Sequence, residues 1–544
     1  MSQPTQKRSD DQGVAAQAGK SAWSALGYTA FRYLWIATVV SNVGAWMYNA
    51  AAGWLMTSLN ANPLIVSLVQ VASSLPLFLF GLPAGALADM VDKRRFILLL
   101  EILTTAFSAL FAFLVTLHAV TPSVLLFFIF LVGILGALEA PAWQAIVPLL
   151  VPKEALSSAA AANSAGINIS RVIGPALAGI VILALGIAAP FWLDAVSNLG
   201  VIAVIFWWCP PAKASQTLPA EHLLNAVRTG VRYARNNPAL RATLVQAAGF
   251  FLFASAYWAL LPVLARSQLR GDPPLYGVLL GAIGAGAVAG VFLLPRLKAR
   301  SGPNGMVALG KLGTAVALVL FGLAQNAQTA ILACLIAGLS WIAVLATLNV
   351  SAQVALPEWV RGRGLAAYVT VFFGTMSLGS MVWGFVADRV GLPSAHFIAG
   401  AGAVLAIWVT RQSKLQTGPE ADLTPSMHWP TPVLAIAVED DAGPVLVTLE
   451  YRVAAEMREA FFAAVRRLGR QRKRDGAYAW GLYEDAAHPE RVLETFLVDS
   501  WLEHLRQHQR VTNADRVVEE HVRKLVREEP RITHYIAAQP RPVK

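Results

Sequence analysis

Glu139 sits well inside an apolar run from Pro122 to Pro148. An isolated carboxylate at that depth is costly and tends to keep its proton. It suits a proton-cycling group, or a structural acid held by hydrogen bonds; the residue alone leaves both open. Arg171 and Asp194 are a second pair of charges within apolar runs. Counting inward at ~1.5 Å per residue puts both in the middle third of the membrane. An ion pair between them would relieve both charges, and that structural role is the expected one.

Around these acids lie polar and aromatic positions at helical spacing. Asn42, Trp46 and Asn49 recur at i, i+4 and i+7, and Glu139 shares a face with Trp143. Gln246, Phe250, Phe253 and Tyr257 form a third stripe, and Trp341 with Asn349 supplies the polar positions of another run. Each aromatic taken singly is as well explained by helix packing or an interfacial belt. Gly174-Pro175-Ala-Leu-Ala-Gly179 offers a small, proline-bent surface on which helices can pack closely and rock.

The elements that must position these groups are membrane helices. Of 544 residues, 56% are hydrophobic and only 14% charged, the composition of a polytopic membrane protein. About twelve runs are long enough to span, at ~20 residues or more each. They cover 31–58, 63–90, 94–118, 122–148, 155–183, 187–209, 239–266, 274–296, 303–325, 328–354, 361–388 and 392–411. One set of short loops holds Lys93, Arg94, Arg95, Lys153, Arg296, Lys298, Arg300, Arg361 and Arg363, while the alternate set has only Arg266, Arg270 and Arg389. The richer set is expected to be cytoplasmic, with both termini on that side. The net charge of +11 is then explained by loops and tails rather than by nucleic acid. Residues 1–30 read as a flexible cytoplasmic tail without a signal sequence. Residues 31–209 and 239–411 form two six-helix halves joined by a polar, basic loop at 210–238. Leu150-Val-Pro-Lys-Glu and Ala355-Leu-Pro-Glu-Trp, with Gly174 against Gly379 and Gly179 against Gly384, suggest a weak repeat between the halves. Cys209 and Cys334 give no disulfide framework.

The loop Gly85-Ala-Leu-Ala-Asp89-Met-Val-Asp-Lys93-Arg94-Arg95 places a dense cluster of charge between two such runs. It resembles the signature loop of the major facilitator superfamily: Gly85, Asp89, Lys93 and Arg94 match, while Met90 and Asp92 replace a usual base and glycine. The resemblance implies a twelve-helix transporter in which Asp89, Lys93 and Arg94 latch one conformation. It also implies a central cavity lined by Asn42, Trp46, Asn49, Trp143, Gln246, Tyr257, Trp341 and Asn349. Gly174, Pro175 and Gly179 resemble the Gly-Pro element of drug–proton antiporters, which implies export. Asn163-Ser-Ala-Gly-Ile-Asn-Ile-Ser-Arg-Val-Ile-Gly-Pro and Leu356-Pro-Glu-Trp-Val-Arg-Gly-Arg-Gly resemble the enterobactin-exporter-like branch, the transmembrane secretion effectors.

After a polar linker at 412–430 the composition becomes that of a soluble domain, 431–544. Val445, Val447, Leu449, Tyr451 and Val453 alternate with polar residues as a half-buried strand, and Met457, Phe461, Val465 and Leu468 follow at helical spacing. Strand-like runs at 477–483, 492–498 and 532–538, with helical stretches near 500–509 and 513–527, complete a ferredoxin-like α+β order. The domain resembles the antibiotic-biosynthesis monooxygenases, Trp501-Leu-Glu-His-Leu-Arg-Gln-His matching the corresponding helix of that family, and Trp501, His504, His508 and His534 are its candidate constellation. From spacing alone, His504 and His508 read as a solvated face, and no metal set can be placed.

The expected whole is an all-α polytopic membrane protein with a C-terminal α+β domain, in a bacterial inner membrane. It would be a proton-coupled exporter of a small amphipathic molecule, siderophore-like or drug-like, with Glu139 as proton carrier. No enzyme activity, cofactor or metal is expected, and the C-terminal domain could serve in dimerisation. Uptake by the same fold, or a C-terminal domain that oxidises or senses the cargo, are the alternatives left open. No Gly-x-x-x-x-Gly-Lys-Ser/Thr loop is present, which disfavours direct ATP drive.

Overall fold

The computed structural model describes residues 23–208, 223–416, 422–429 and 438–538. Most of the expected leading tail and central loop, parts of the linker, and Cys209 lie outside the described residues. The chain forms two compact units, one of residues 1–220, 247–346 and 369–411, the other of 221–246, 347–368 and 412–544.

Six helices make the first half: α1 (Thr29–Leu59), α2 (Pro63–Met90), α3 (Lys93–Thr116), α4 (Pro122–Ile146), α5 (Leu156–Leu185) and α6 (Ala189–Trp207). A shorter helix, α7 (Leu223–Asn236), precedes α8 (Pro238–Val263), α9 (Pro273–Leu323), α10 (Ala327–Val354), α11 (Arg361–Val390) and α12 (Leu392–Val409). Ten helices among the described residues are long and apolar enough to cross a membrane. One of them, α9, has 51 residues and breaks at Gly302, whose φ of 63° is open to glycine, so it holds two spans. The more polar α1 is long enough at 31 residues. The expected twelve spans are thus accounted for. Local chemistry marks the starts: Pro63, Pro122 and Pro273 each sit in the first turn, behind Asn62, Thr121 and Asp272, whose side chains accept backbone N–H groups.

The tail ends earlier than its sequence suggests. Ser24–Gly27 forms a short 3-10 turn with Ala25 buried, and the Ala25 N–H donates to Ser158 Oγ at 3.0 Å. In the charged hairpin, Asp92 caps α3 by accepting from the Arg95 N–H at 2.9 Å. The glycine expected at that place by resemblance would lack this acceptor. Arg94 donates to the carbonyls of Ile205 and Phe206 at 3.0 and 2.6 Å, binding the last turn of α6, where a cation complements the helix dipole. Lys93 is the first residue of α3, and the side chain of Asp89 lies outside the described residues.

Glycines set the approach of helices in the first unit. A Cβ on Gly174 would meet the Val43 carbonyl of α1 at 2.9 Å, and one on Gly179 would lie 2.6 Å from the Pro273 carbonyl and 2.9 Å from Pro274 Cα. Gly277 of α9 returns the contact against the Pro175 carbonyl at 2.7 Å. The Gly174–Gly179 surface of α5 therefore packs against α1 on one side and the start of α9 on the other.

Within the second unit, β1 (Val445–Arg452), α13 (Arg458–Asp475), β2 (Tyr478–Glu484), β3 (Arg491–Val498), α14 (Trp501–Arg510), α15 (Asn513–Arg523) and β4 (Arg531–Ile536) build a four-stranded sheet ordered β2-β3-β1-β4. That order, with helices on one face, is the expected ferredoxin-like arrangement. Register pairs Val447 with both Phe496 and His534, and Leu449 with Ile532, so one face carries the core. The unit also includes α7 and the 347–368 stretch, which the sequence assigns to the membrane part and its loops.

Gly179→Leu should destabilise the first unit, because backbone atoms cannot yield as a side chain can. A cost on the order of 1–3 kcal/mol is expected. It would appear as a fall of several degrees in the thermal midpoint of the detergent-solubilised protein. Gly81→Ala, where an added Cβ meets nothing within 4 Å, should leave the midpoint unchanged.

Candidate functional site

The first unit encloses a cavity of about 520 Å³ lined entirely by residues of α1 to α6. Asn42 and Asn49 reach it from α1 and Trp143 from α4, as the resemblance implies, and Glu139 of α4 joins them. It also takes in Glu101 from α3, and Asp194 and Asn198 from α6. The Glu101 and Glu139 carboxyls hydrogen-bond each other. An ionised carboxylate can only accept, so such a bond requires a proton on one partner. Asp194 accepts from Ser108 Oγ at 2.8 Å, and Asn198 Oδ1 accepts from Ser41 Oγ at 2.6 Å.

Several expectations are corrected here. Arg171 and Asp194 do not form an ion pair: Asp194 is held by Ser108, while the Arg171 guanidinium lies over the Trp46 ring at 5.5 Å. The two helices present these residues to different neighbours, which depth along the chain cannot reveal. Trp46 meets Arg171 rather than lining the cavity. Gln246, Tyr257, Trp341 and Asn349 do not line it either. Trp341 packs with Phe250, Phe251, Trp258 and Phe372, ring centroids 5.3–6.0 Å away, and Tyr257 is fully buried beside Trp258 and Phe321. Gln246 belongs to the second unit, donating to the Ser413 carbonyl at 3.0 Å, and Asn349 lies there too. Trp341 and Tyr257 are aromatic packing rather than cavity wall.

Glu101 was missed, although it carries the same signal as Glu139, an acid inside an apolar run. Lys311 was missed as well: it is buried on α9 and donates to Thr410 Oγ1 at 2.7 Å.

The second unit brings together Trp501, His504, His508 and His534. The His504 ring lies 4.7 Å from His534, 4.9 Å from His508 and 5.4 Å from Trp501. Instead of a solvated face, His504 is 2% exposed. Burial, helped by the neighbouring imidazoles, pushes His504 down to about 3 and His508 down to about 4 from the ordinary 6.5. Beside them Arg472 donates to Glu519 at 2.9 Å, and His428 and Trp429 bond the same carboxylate at 2.8 and 3.0 Å. Burial alone would raise Glu519, but Arg472 and these hydrogen bonds outweigh it and hold the carboxyl down to about 2. Among the described residues, no group of three or more His, Cys, Asp or Glu is placed to hold a metal ion.

Comparison with known proteins gives a family and relatives. The profile of the family described as "Transmembrane secretion effector" matches residues 20–542. The chain is 25% identical over 387 residues to the staphyloferrin A transporter of Staphylococcus aureus, covering 69% of this chain and 93% of that protein. It is 26% identical over 378 residues to the multidrug efflux pump Tap of Mycolicibacterium fortuitum, covering 67% and 90%. It is 26% identical over 343 residues to the enterobactin exporter EntS of Shigella boydii, covering 62% and 80%. A POT family transporter structure aligns with a TM-score of 0.58 at 13% identity over 70% of this chain and 95% of that one, a likeness of fold.

The neutral imidazoles of the second unit give it an acid sensitivity. His504 and His508 bind protons more readily in the unfolded chain, so their contribution to stability is full above about pH 6.5 and is lost as pH falls toward 4. Each contributes up to ~1.4 kcal/mol per pH unit across that window. Hydrogen exchange of peptides covering 501–510 in the full-length protein should therefore quicken at pH 5 relative to pH 7.5, after correction for intrinsic rates. His504→Phe should at least halve the difference. Equal exchange at both pH values would contradict the assignment.

Proposed function

The chain belongs to the transmembrane secretion effector family, and from that premise we propose that it couples export of a small amphipathic organic molecule to proton influx through the Glu101–Glu139 carboxyl pair. The protein is a multi-pass membrane transporter of the major facilitator type, and its family and relatives are transporters, not enzymes. The observation that carries the coupling is the carboxyl–carboxyl hydrogen bond inside the cavity. A pair that holds one proton can release it when water or cargo parts the two groups, and rebind it when they close.

The cavity volume of about 520 Å³ suits a drug-sized molecule. Its walls mix Trp143, Ile129 and Val132 with Asn42, Asn49 and Asn198, which favours a cargo with both apolar and polar surface. The names of the relatives narrow the class to siderophore-like or drug-like compounds. In this reading the two six-helix halves rock about the midplane, and the small-residue contacts of α5 with α1 and α9 are the surfaces that slide. Arg94, bound to the end of α6, is the fixed part of the hairpin latch that would include Asp89 and Lys93. The distribution of bases supports a bacterial inner-membrane placement with both termini cytoplasmic.

The test is transport into everted membrane vesicles with a panel of siderophores and aromatic drugs. An imposed proton gradient should drive accumulation, and a protonophore should abolish it. Glu101→Gln and Glu139→Gln keep the hydrogen-bonding shape but cannot ionise, and each should lower gradient-driven accumulation at least tenfold at equal expression. Undiminished gradient-driven transport by both variants would remove the carboxyl pair from the mechanism. Protein-dependent accumulation in intact cells instead of everted vesicles would establish uptake.

A further inference from the structure

The α+β domain contains a second cavity, of about 340 Å³, between its sheet and its helices. The sheet supplies apolar walls from Val447, Leu449, Phe496 and Ile532, and Leu468 and Val522 close the helical side. Its polar end is made by the three histidines and by Trp429, whose ring stacks on Arg472 with 4.6 Å from guanidinium carbon to ring centroid. The nearby charges are already matched: Arg472 lies 2.9 Å from a Glu519 oxygen and 3.7 Å from a Glu494 oxygen. Tyr451 and Trp480 donate to the same Glu494 carboxylate, each at 2.8 Å. An added anion would face two carboxylates and an arginine they have neutralised, so the cavity disfavours negative charge.

The histidines differ in what they still have to give. His508 bonds His504 through Nε2 atoms 3.3 Å apart and also bonds the Trp429 backbone, and His504 Nδ1 lies 3.4 Å from Gln507 Oε1. His534, half-buried on β4, makes ring contacts with His504 and Trp501, but its imidazole makes no hydrogen bond among the described residues. A neutral imidazole offers one donor and one acceptor, which a hydroxyl answers in kind.

The helix that carries His504 and His508 has another face, and that face is engaged too. Glu503 of α14 lies 3.6 Å from Arg232 of α7. Arg510 donates to Glu503 and to the Asp475 carbonyl, and its guanidinium stands 4.5 Å from the centroid of Trp359, in the turn before α11. Arg474 of α13 lies over the ring of Tyr233 of α7 at 5.7 Å, and the Tyr233 hydroxyl reaches the Ala355 carbonyl at 3.4 Å. One short helix thus lines the cavity on one side and grips the central-loop helix and the α10–α11 turn on the other.

We propose that this cavity is a regulatory binding site for a neutral, planar, largely apolar molecule with a hydroxyl that pairs with His534, and that α14 transmits its occupancy to α7. The site is separate from the membrane cavity and requires no chemical transformation of its ligand.

The probe is 1-naphthol, titrated by calorimetry into the full-length protein in nanodiscs, with 1-naphthoate as the anionic counterpart. Saturable binding of 1-naphthol is expected, at least tenfold tighter than 1-naphthoate, and at least tenfold weaker in His534→Phe and in Leu449→Trp, which fills the wall. Glu139→Gln should bind as the parent does, separating this site from the membrane cavity. Absence of saturable 1-naphthol binding, binding untouched by both pocket substitutions, or equal binding of the anion would overturn the site. In the same samples, 1-naphthol should change hydrogen exchange of peptides covering 223–236 at least twofold in the parent and not in His534→Phe. Binding without that change would overturn the regulatory role.

Discussion

A carboxylate buried between helices has no water to solvate it, so it needs hydrogen bonds, a cation or a proton. The membrane unit meets that constraint in two ways around one cavity. Asp194 takes the hydroxyl of Ser108, and Glu101 and Glu139 take each other. Arg171, the cation that charge balance nominated for Asp194, rests on the face of Trp46 instead. The proposed coupling rests on the pairing of two acids. A hydroxyl–carboxylate bond can persist in every conformation, whereas an acid–acid bond is bistable with respect to one proton.

Small residues set how closely the helices of this unit pack. Where α5 crosses α1 and α9, glycine replaces side chains that would otherwise interlock, and backbone lies against backbone. Such contacts are close without being keyed by knobs and holes, which lowers the cost of sliding. The second half contributes mass rather than chemistry near the described cavity. Its aromatic cluster around Trp341 is closely packed and apolar.

The C-terminal domain solves the same charge problem in water-accessible protein with more partners. Arg472 between Glu494 and Glu519, capped by Trp429, satisfies buried charge on one side of the cavity. Three neutral imidazoles satisfy polarity on the other without adding charge. The result is a pocket that is polar at one end yet electrostatically quiet. Its second helix meets the central-loop helix through Glu503 and Arg232, so the domain is part of one compact unit with membrane-proximal segments rather than an appendage.

Much of this was legible in one dimension because its physics is local. Apolar runs long enough to span, proline behind a capping side chain, and alternation along β1 are each set by neighbours in sequence, and the helices and the ferredoxin-like order followed. Asn42, Asn49 and Trp143 could be placed on a cavity because the family resemblance nominated their helices and periodicity gave the shared face, yet Trp46 on the same stripe turns to Arg171 instead. What periodicity cannot decide is which neighbour that face meets. Glu101 and Glu139 lie on different helices, Arg171 and Asp194 lie at similar depth yet turn to different partners, and His504 looks solvated until β4 brings His534 beside it. Those choices depend on the rotation and approach of helices and strands distant in the chain, which packing sets and no local pattern encodes.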